Sequence, residues 1–173
     1  MKHPPLIPGP ITYDQANSAQ RLIRRFASSG PGSWIFARVA HRLDRPVYRI
    51  TRGRYTVGNL ISGLPVVMLT TTGAKSGQPR TVPILGLPTD DGIAVIASNF
   101  GQYHHPGWSH NLRANPEAEV AVNGSRQRVR AVEADEQRRE HIWQSGLKIY
   151  PGFDQYAQRA SHRRISVFVL EPR

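Results

Sequence analysis

The chain contains no cysteine. That absence excludes disulfides, iron–sulfur clusters, cysteine-based metal sites and thiol catalysis, and it fits a reducing cytoplasm. Acid is scarce: 12 Asp and Glu stand against 23 Lys and Arg, for a formal net charge of +11. No paired-carboxylate constellation, GxSxG elbow or HExxH run is present, so hydrolysis has no evident catalyst. No stretch approaches the roughly 18 consecutive apolar residues of a spanning helix. The opening MKHPPLIPGP lacks the apolar core of a secretory signal. With neither a nucleophile nor an electron-carrying thiol in view, redox chemistry here needs a bound coenzyme.

What is present is a 173-residue chain, 39% hydrophobic, long enough to bury a real core. Its charge is uneven. Residues 1–60 hold ten Lys or Arg and two Asp, which is +8; that leaves +3 of the total +11 for the rest. Residues 1–56 therefore read as a basic N-terminal extension with amphipathic helices, and 57–173 as the folded domain. In the extension, 13–27 is expected to be helical, with Ala16, Ala19, Leu22, Ile23 and Phe26 on one face. Ser28 to Gly32 stops that helix. A second basic amphipathic stretch runs from about 33 to 45, where Trp34, Ile35, Val39 and Leu43 alternate with Arg38 and Arg42. The bland reading is a helix with a solvated basic face; the functional one is contact with an anionic membrane surface. Nucleic acid is disfavoured because no groove-reading motif accompanies the charge.

From 66 onward the pattern changes to strands. Val66–Thr72 is apolar and Thr-rich, Gly73–Gly77 is a turn, and Arg80–Leu87 is a second strand whose Pro83 implies an edge or bulge. Thr89-Asp90-Asp91-Gly92 turns the chain into a third strand over 93–98. Pro106–Ala114 is expected to be a short helix. A second hairpin spans 118–133 across Asn123-Gly124. Asp135 caps a helix reaching about Tyr150, with Ile142, Leu147 and Tyr150 inward, and Ile165–Leu170 is a last strand. Hairpins dominate and no βαβ rhythm appears. The expectation is a mainly β, α+β fold: a small antiparallel barrel with helices packed outside.

The run Gly73-Ala74-Lys75-Ser76-Gly77-Gln78-Pro79-Arg80 lacks the glycine spacing and Gly-Lys pair of a Walker loop. It reads either as a solvated turn or as an anion clamp, in which small residues admit an oxyanion to backbone N–H groups while Lys75 and Arg80 supply charge. His104, His105 and His110 lack the helical i, i+4 spacing and the neighbouring carboxylate of a metal site. Trp108 and Asn111 lie one helical turn apart. They are a core Trp with a capping Asn, or an edge and an amide lining a planar ligand. Arg126, Arg128 and Arg130 share one strand face, solvated by default. Tyr150, Phe153 and Tyr156 are core, or the wall of an apolar pocket.

Together these stretches resemble the deazaflavin-dependent nitroreductases and F420H2-dependent quinone reductases of mycobacteria and their relatives. The matching segments are Leu69-Thr70-Thr71-Thr72-Gly73, Lys75 to Arg80, Pro106-Gly107-Trp108 with Asn111-Leu112, Ala114-Asn115-Pro116, and the tail from Tyr150-Pro151 through Tyr156 to Glu171-Pro172. The resemblance implies a split β-barrel of the flavin-reductase and pyridoxamine-phosphate-oxidase type. It implies coenzyme F420 as cofactor, with FMN as the alternative, and a quinone, enone or nitroaromatic acceptor. Ala74, Lys75, Ser76 and Arg80 would hold the phosphate and oligoglutamate tail. Thr81, Val82, Pro83, Ile84 and Leu85 would run beside the ring, Ile96, Ala97, Ser98 and Asn99 would contact ring or linker, and Gly107, Trp108 and Asn111 would close the site. Leu85, Ser98, Tyr150, Phe153 and Tyr156 would line the acceptor pocket. Ser98 or Tyr150 would be the donor to the developing oxyanion. Asn99 stands where the best-known nitroreductase of the family has lysine, and Leu85 and Phe153 where it has tyrosine. Quinone or enone reduction is thus favoured over prodrug activation. A loose hold on the cytoplasmic face of a membrane would suit a lipid-soluble acceptor.

Overall fold

The computed structural model describes residues 11–35, 38, 62–122 and 124–173. Six strands form a closed antiparallel barrel in the order β1-β2-β3-β6-β5-β4. They are β1 (Val66–Thr72), β2 (Pro79–Thr89), β3 (Gly92–Ile96), β4 (Glu117–Val122), β5 (Ser125–Glu133) and β6 (Val167–Pro172). The helices are α1 (Ser18–Ser28), α2 (Gly107–Ala114), α3 (Glu136–Ile149) and α4 (Gly152–Arg159). A short 3-10 turn at Asn99–Gly101 follows β3.

Strand alternation sorts the core into two layers. Ile93, Val95, Phe168 and Leu170 belong to one cluster with Val67, Leu69, Val120 and Val129, which fills the barrel. Their neighbours Ala94, Ile96, Val167 and Val169 point the other way and pack with Ile142, Trp143, Phe153 and Tyr156 of the helices. Trp108 and Leu112 of α2 join the barrel cluster, with the Trp108 ring edge-on to Phe168 at 5.8 Å between centroids.

The divided pairing of β2 is the feature that makes room for a site. Residues Pro79–Leu85 pair only with β1, and Gly86–Thr89 pair with β3. The first half of the strand therefore has one free edge, and Pro83, which cannot donate to a ladder, lies in that half. The edge expected from Pro83 is where the sequence put it.

α3 starts where Asp135 accepts a hydrogen bond from the Arg138 N–H at 2.8 Å. α1 starts later than expected, at a capping box of Asn17 and Gln20. Its inward face also differs from the expected one: Leu22 and Phe26 are 70% and 48% exposed, while Arg24 is 1% exposed. Helix resumes at 30–35, ahead of the expected restart at 33; most of the amphipathic stretch to 45 lies outside the described residues, as does Asn123. α4 was not anticipated. The expected helix ends at about Tyr150, and the structure starts a new one directly after it, with Pro151 and Gly152 at its opening. Arg126, Arg128 and Arg130 are exposed, with Arg126 and Arg130 paired to Glu119 and Glu117. The division at 56/57 remains a proposal. Residues 11–35 lie against the helices of the barrel: the Tyr13 N–H donates to Lys148 O, and Arg159 donates to Ser28 O.

Arg113 holds α2 on the barrel. Its guanidinium donates to both Glu133 oxygens, at 2.9 and 2.7 Å, and to Ser166 Oγ at 2.6 Å. The Arg113 hydrogen bond holds the Glu133 carboxyl below its ordinary pKa. A depressed carboxylate stabilises the fold above its unfolded pKa of about 4.3 and loses that contribution as pH falls through the folded value. Glu133→Gln is therefore expected to lower stability at neutral pH by about 1 kcal/mol or less, since the pair is part-exposed. It should also shrink the loss of stability between neutral pH and the acid range. Urea melts of both proteins at neutral and acid pH check this.

Candidate functional site

A cavity of about 1180 Å³ lies along the free edge of β2. β2 presents Arg80, Val82, Pro83, Ile84 and Leu85 to it, so at strand rise the wall runs roughly 16 Å from cation to apolar end.

The cationic end is the turn after β1. Gly73 N–H donates to Gln78 O, Gly77 N–H to Gly73 O, and Gln78 N–H to Ser76 Oγ. Gly77 has φ +65°, which a side chain would disfavour. Asn111 of α2 fastens the turn: its Oδ1 accepts from Ala74 N–H and its Nδ2 donates to Thr71 Oγ1, both at 2.9 Å. The amide expected to touch a ligand thus also holds the loop. Lys75 and Arg80 are exposed, line the cavity, and make no ion pair or side-chain hydrogen bond among the described residues. Two unpaired cations on a turn held in shape by its own hydrogen bonds fit a phosphate-bearing group.

The other end is apolar and aromatic. Leu64, Leu85, Ile96 and Phe153 line it with Tyr150 and Tyr156. The tyrosine hydroxyls are 2.8 Å apart, and Tyr156 Oη donates to Ala27 O at 3.0 Å. That second bond uses the Tyr156 proton, so Tyr150 donates to Tyr156 and presents lone pairs elsewhere. Burial raises the Tyr150 phenol pKa far above its ordinary value and pushes Tyr156 up to about 12. Both are neutral at physiological pH. Ser98 is buried at the cavity wall, and its hydroxyl makes no hydrogen bond among the described residues. Arg163 fixes its loop by donating to Ala97 O, Ser98 O and Gln102 O.

The expected site residues assemble with two exceptions. Thr81 and Ala97 do not line the cavity. Thr81 is exposed and its Oγ1 shares a hydrogen bond with Thr70 across β1 and β2, and Ala97 is fully buried in the barrel cluster. Ala74, Lys75, Ser76, Arg80, Val82, Pro83, Ile84, Leu85, Ile96, Ser98, Asn99, Gly107, Trp108, Asn111, Tyr150, Phe153 and Tyr156 all do. Asn99 Nδ2 is engaged by His104 O at 2.8 Å, and both Asn99 and Phe100 have positive φ.

Several wall residues were not foreseen. Ile23, Arg24, Ala27 and Ile35 come from the N-terminal helices, and Phe100, His105 and His110 from the loop and helix after β3. His105 Nδ1 is buried without a hydrogen-bond partner. Desolvation, then the charges of Arg163 and Arg113, lower its pKa, so it is neutral at physiological pH. The His-His-Pro-Gly-Trp run was the available signal for His105. Nothing in the helical periodicity of 13–27 singled out Arg24.

Barrel, free strand edge, cationic turn and aromatic slot together define a split-barrel protein whose cavity is cationic at one end and apolar at the other. The chain belongs to the F420H(2)-dependent quinone reductase family, whose model matches residues 40–172. It is 43% identical over 86 residues to an F420H(2)-dependent quinone reductase of Mycobacterium tuberculosis. That match covers 49% of this chain, and the chain spans only 56% of the relative's length. A second M. tuberculosis protein, provisionally given the same name, is 33% identical over 110 residues, with 64% of this chain and 92% of the relative covered. Among solved structures, an F420-H2 dependent reductase is 37% identical with a TM-score of 0.56, covering 62% of this chain and 94% of that one. Another, described as a domain-swapped dimer, is 31% identical with a TM-score of 0.58 and covers 82% and 100%.

Proposed function

We propose that this chain is a reductase that uses reduced F420 to transfer a hydride to a quinone. The observation that carries this is a clamp of unpaired cations joined by one strand edge to an apolar aromatic slot. The donor set fits a polyanion tied to a flat ring. Lys75, Ser76 and Arg80 would hold the tail, and Val82 to Leu85 with Ser98 would flank the ring. When bound, the cofactor supplies the hydride; the protein supplies position and charge stabilisation. Ser98 is the donor best placed for the developing oxyanion because its hydroxyl is uncommitted. Tyr150 must first release its bond to Tyr156 to donate. Enones and nitroaromatics are secondary acceptors of the same slot. Mixing the protein with F420H2, reduced FMN or NADPH and menadione tests the reading: oxidation should be fast with F420H2 alone. Turnover with reduced FMN but not F420H2 would favour the FMN alternative, and turnover with none would make the chain a binding module.

Tyr150→Phe removes one hydroxyl from a buried pair and leaves the shape. It is expected to cost about 1 kcal/mol of stability. It and Tyr156→Ala should change menadione turnover more than F420 affinity. If rates with quinones, enones and nitroimidazoles are all unchanged, the pair is plain core.

We also propose that the N-terminal segment rests on an anionic membrane. No described helix is long and apolar enough to cross one. Leu22, Phe26, Trp34 and Ile35 are exposed beside Arg21, Arg25 and Arg38, and Ile35 also borders the cavity. Apolar contacts would enter the lipid interface while each arginine adds roughly 1 kcal/mol at an anionic surface. The full chain should co-sediment with anionic vesicles, weakly so at high salt. A form starting near Val57 should not, but it also loses α1 from the cavity wall. Leu22→Ser with Phe26→Ser and Trp34→Ser is the cleaner comparison. Equal partitioning of all three would mean a solvated surface.

A further inference from the structure

Arg24 is the largest fully buried side chain among the described residues, at 1% exposure, and it lines the cavity. A guanidinium carries five N–H donors. Here Nε donates to Ser62 O at 2.9 Å, and Nη1 to Ile149 O at 3.1 Å and Ile11 O at 3.4 Å. The N–H groups of Nη2 are buried and have no partner. No carboxylate pairs with Arg24 among the described residues. The carbonyl of Ile149 is at the C-terminus of α3, where the helix dipole favours a cation. Three carbonyls soften the cost of burying the charge without cancelling it. A guanidinium does not give up its proton at physiological pH, so the charge is permanent.

Its place along the cavity matters. Ser62, to which it binds, sits two residues before Leu64, and Pro65 O accepts from Gly86 N–H just beyond Leu85. Arg24 therefore lies at the aromatic end, away from Lys75 and Arg80. Tyr150, close enough for its hydroxyl to feel the Arg24 charge, has its own proton committed to Tyr156.

We propose that Arg24 is the fixed cation that selects acceptors becoming oxyanions, a specificity-determining residue of the acceptor slot. This rests on the quinone-reductase reading. The acceptor gains a hydride, two electrons with one proton, as the reduced deazaflavin is oxidised. A quinone then becomes a hydroquinone monoanion, which takes its second proton from solvent. Arg24 favours the anion over the neutral acceptor, which raises the rate rather than ground-state affinity. An acceptor whose new negative charge settles away from this end of the slot gains less from it.

The test uses 2-hydroxy-1,4-naphthoquinone, a coloured quinone that ionises to an oxyanion. It is titrated into the full-length protein saturated with oxidised F420, whose tail occupies Lys75 and Arg80. The bound probe should ionise at least one pH unit lower than the free one, and the anion should bind about tenfold or more tightly than 1,4-naphthoquinone. Arg24→Gln, which retains an amide donor for the carbonyls, should abolish both effects while neutral 1,4-naphthoquinone still binds. Arg24→Lys should retain them. No pH shift in the wild type overturns the proposal whether or not the variants fold, and so does a shift that survives in Arg24→Gln. In turnover, Arg24→Gln should lower kcat for menadione at least tenfold with KM little changed; loss of 1,4-naphthoquinone binding along with the rate would mean a structural role. Failure of F420H2 to reduce any quinone would sink the reductase reading, while the titration still reports on Arg24 itself.

Discussion

Replacing Lys75 and Arg80 together by alanine is expected to raise the F420 dissociation constant about 30-fold. Charge-assisted contacts are worth roughly 1.5–3 kcal/mol each when sheltered. Both side chains are exposed, so about 1 kcal/mol each is the appropriate figure. Two kcal/mol together corresponds to the stated factor. The same exposure makes the contacts salt-sensitive, so the gap between wild type and double variant should narrow as salt is added. Fluorescence titration at two ionic strengths reads both effects. The fold should be untouched, because neither side chain has a partner to lose among the described residues. A double variant that binds F420 normally would remove the clamp from the site.

Gly92→Ala is expected to destabilise the fold by roughly 4 kcal/mol. Gly92 opens β3 with φ +150°, and a Cβ there would sit 2.2 Å from Leu170 O and 3.2 Å from Pro172 Cδ. The obstacle is backbone of β6, paired to β3 through Ile93 and Leu170. It cannot rotate away as a side chain would. A strained backbone costs about 1–3 kcal/mol and overpacking about as much again. Against a typical total of about 5–15 kcal/mol this is a large share. Thermal or urea denaturation with F420 absent measures it directly. Gly30→Ala, where a Cβ would meet nothing within 4 Å, is the matched control.

The barrel was legible because its information is local. The apolar runs at 93–96 and 167–170, the Asp90-Asp91 turn and the Asp135 cap each act within a few residues. The cationic end of the cavity was legible for the same reason, since Lys75 and Arg80 flank one turn. Thr81 was misplaced because proximity in sequence to Arg80 outweighed its partner across the sheet, Thr70. Ala97 sits between two wall residues, Ile96 and Ser98, yet points into the barrel. Arg24 was hidden by a different cause. A helix of alternating apolar and basic residues is read with its apolar side inward, but here tertiary carbonyls from Ser62 and Ile149 draw the arginine in. Leu22 and Phe26 are left outside. Such a reversal is set by partners 38 and 125 residues away and leaves no trace in periodicity.

The closed strand order has a kinetic side. β1 with β2 and β4 with β5 are neighbours in the chain, and their pairing is quick to find. The ring shuts only when Leu69 meets Val120 and Val95 meets Phe168, contacts that span long stretches of chain. Loop-closure entropy must be met before those pairings return any stabilisation, which places the folding of such a topology toward the millisecond-to-second range. The cavity takes its walls from α1, β2, α2 and α4 alike. It therefore does not exist in any hairpin intermediate, and a nascent chain acquires its site only when β6, its last strand, is in place.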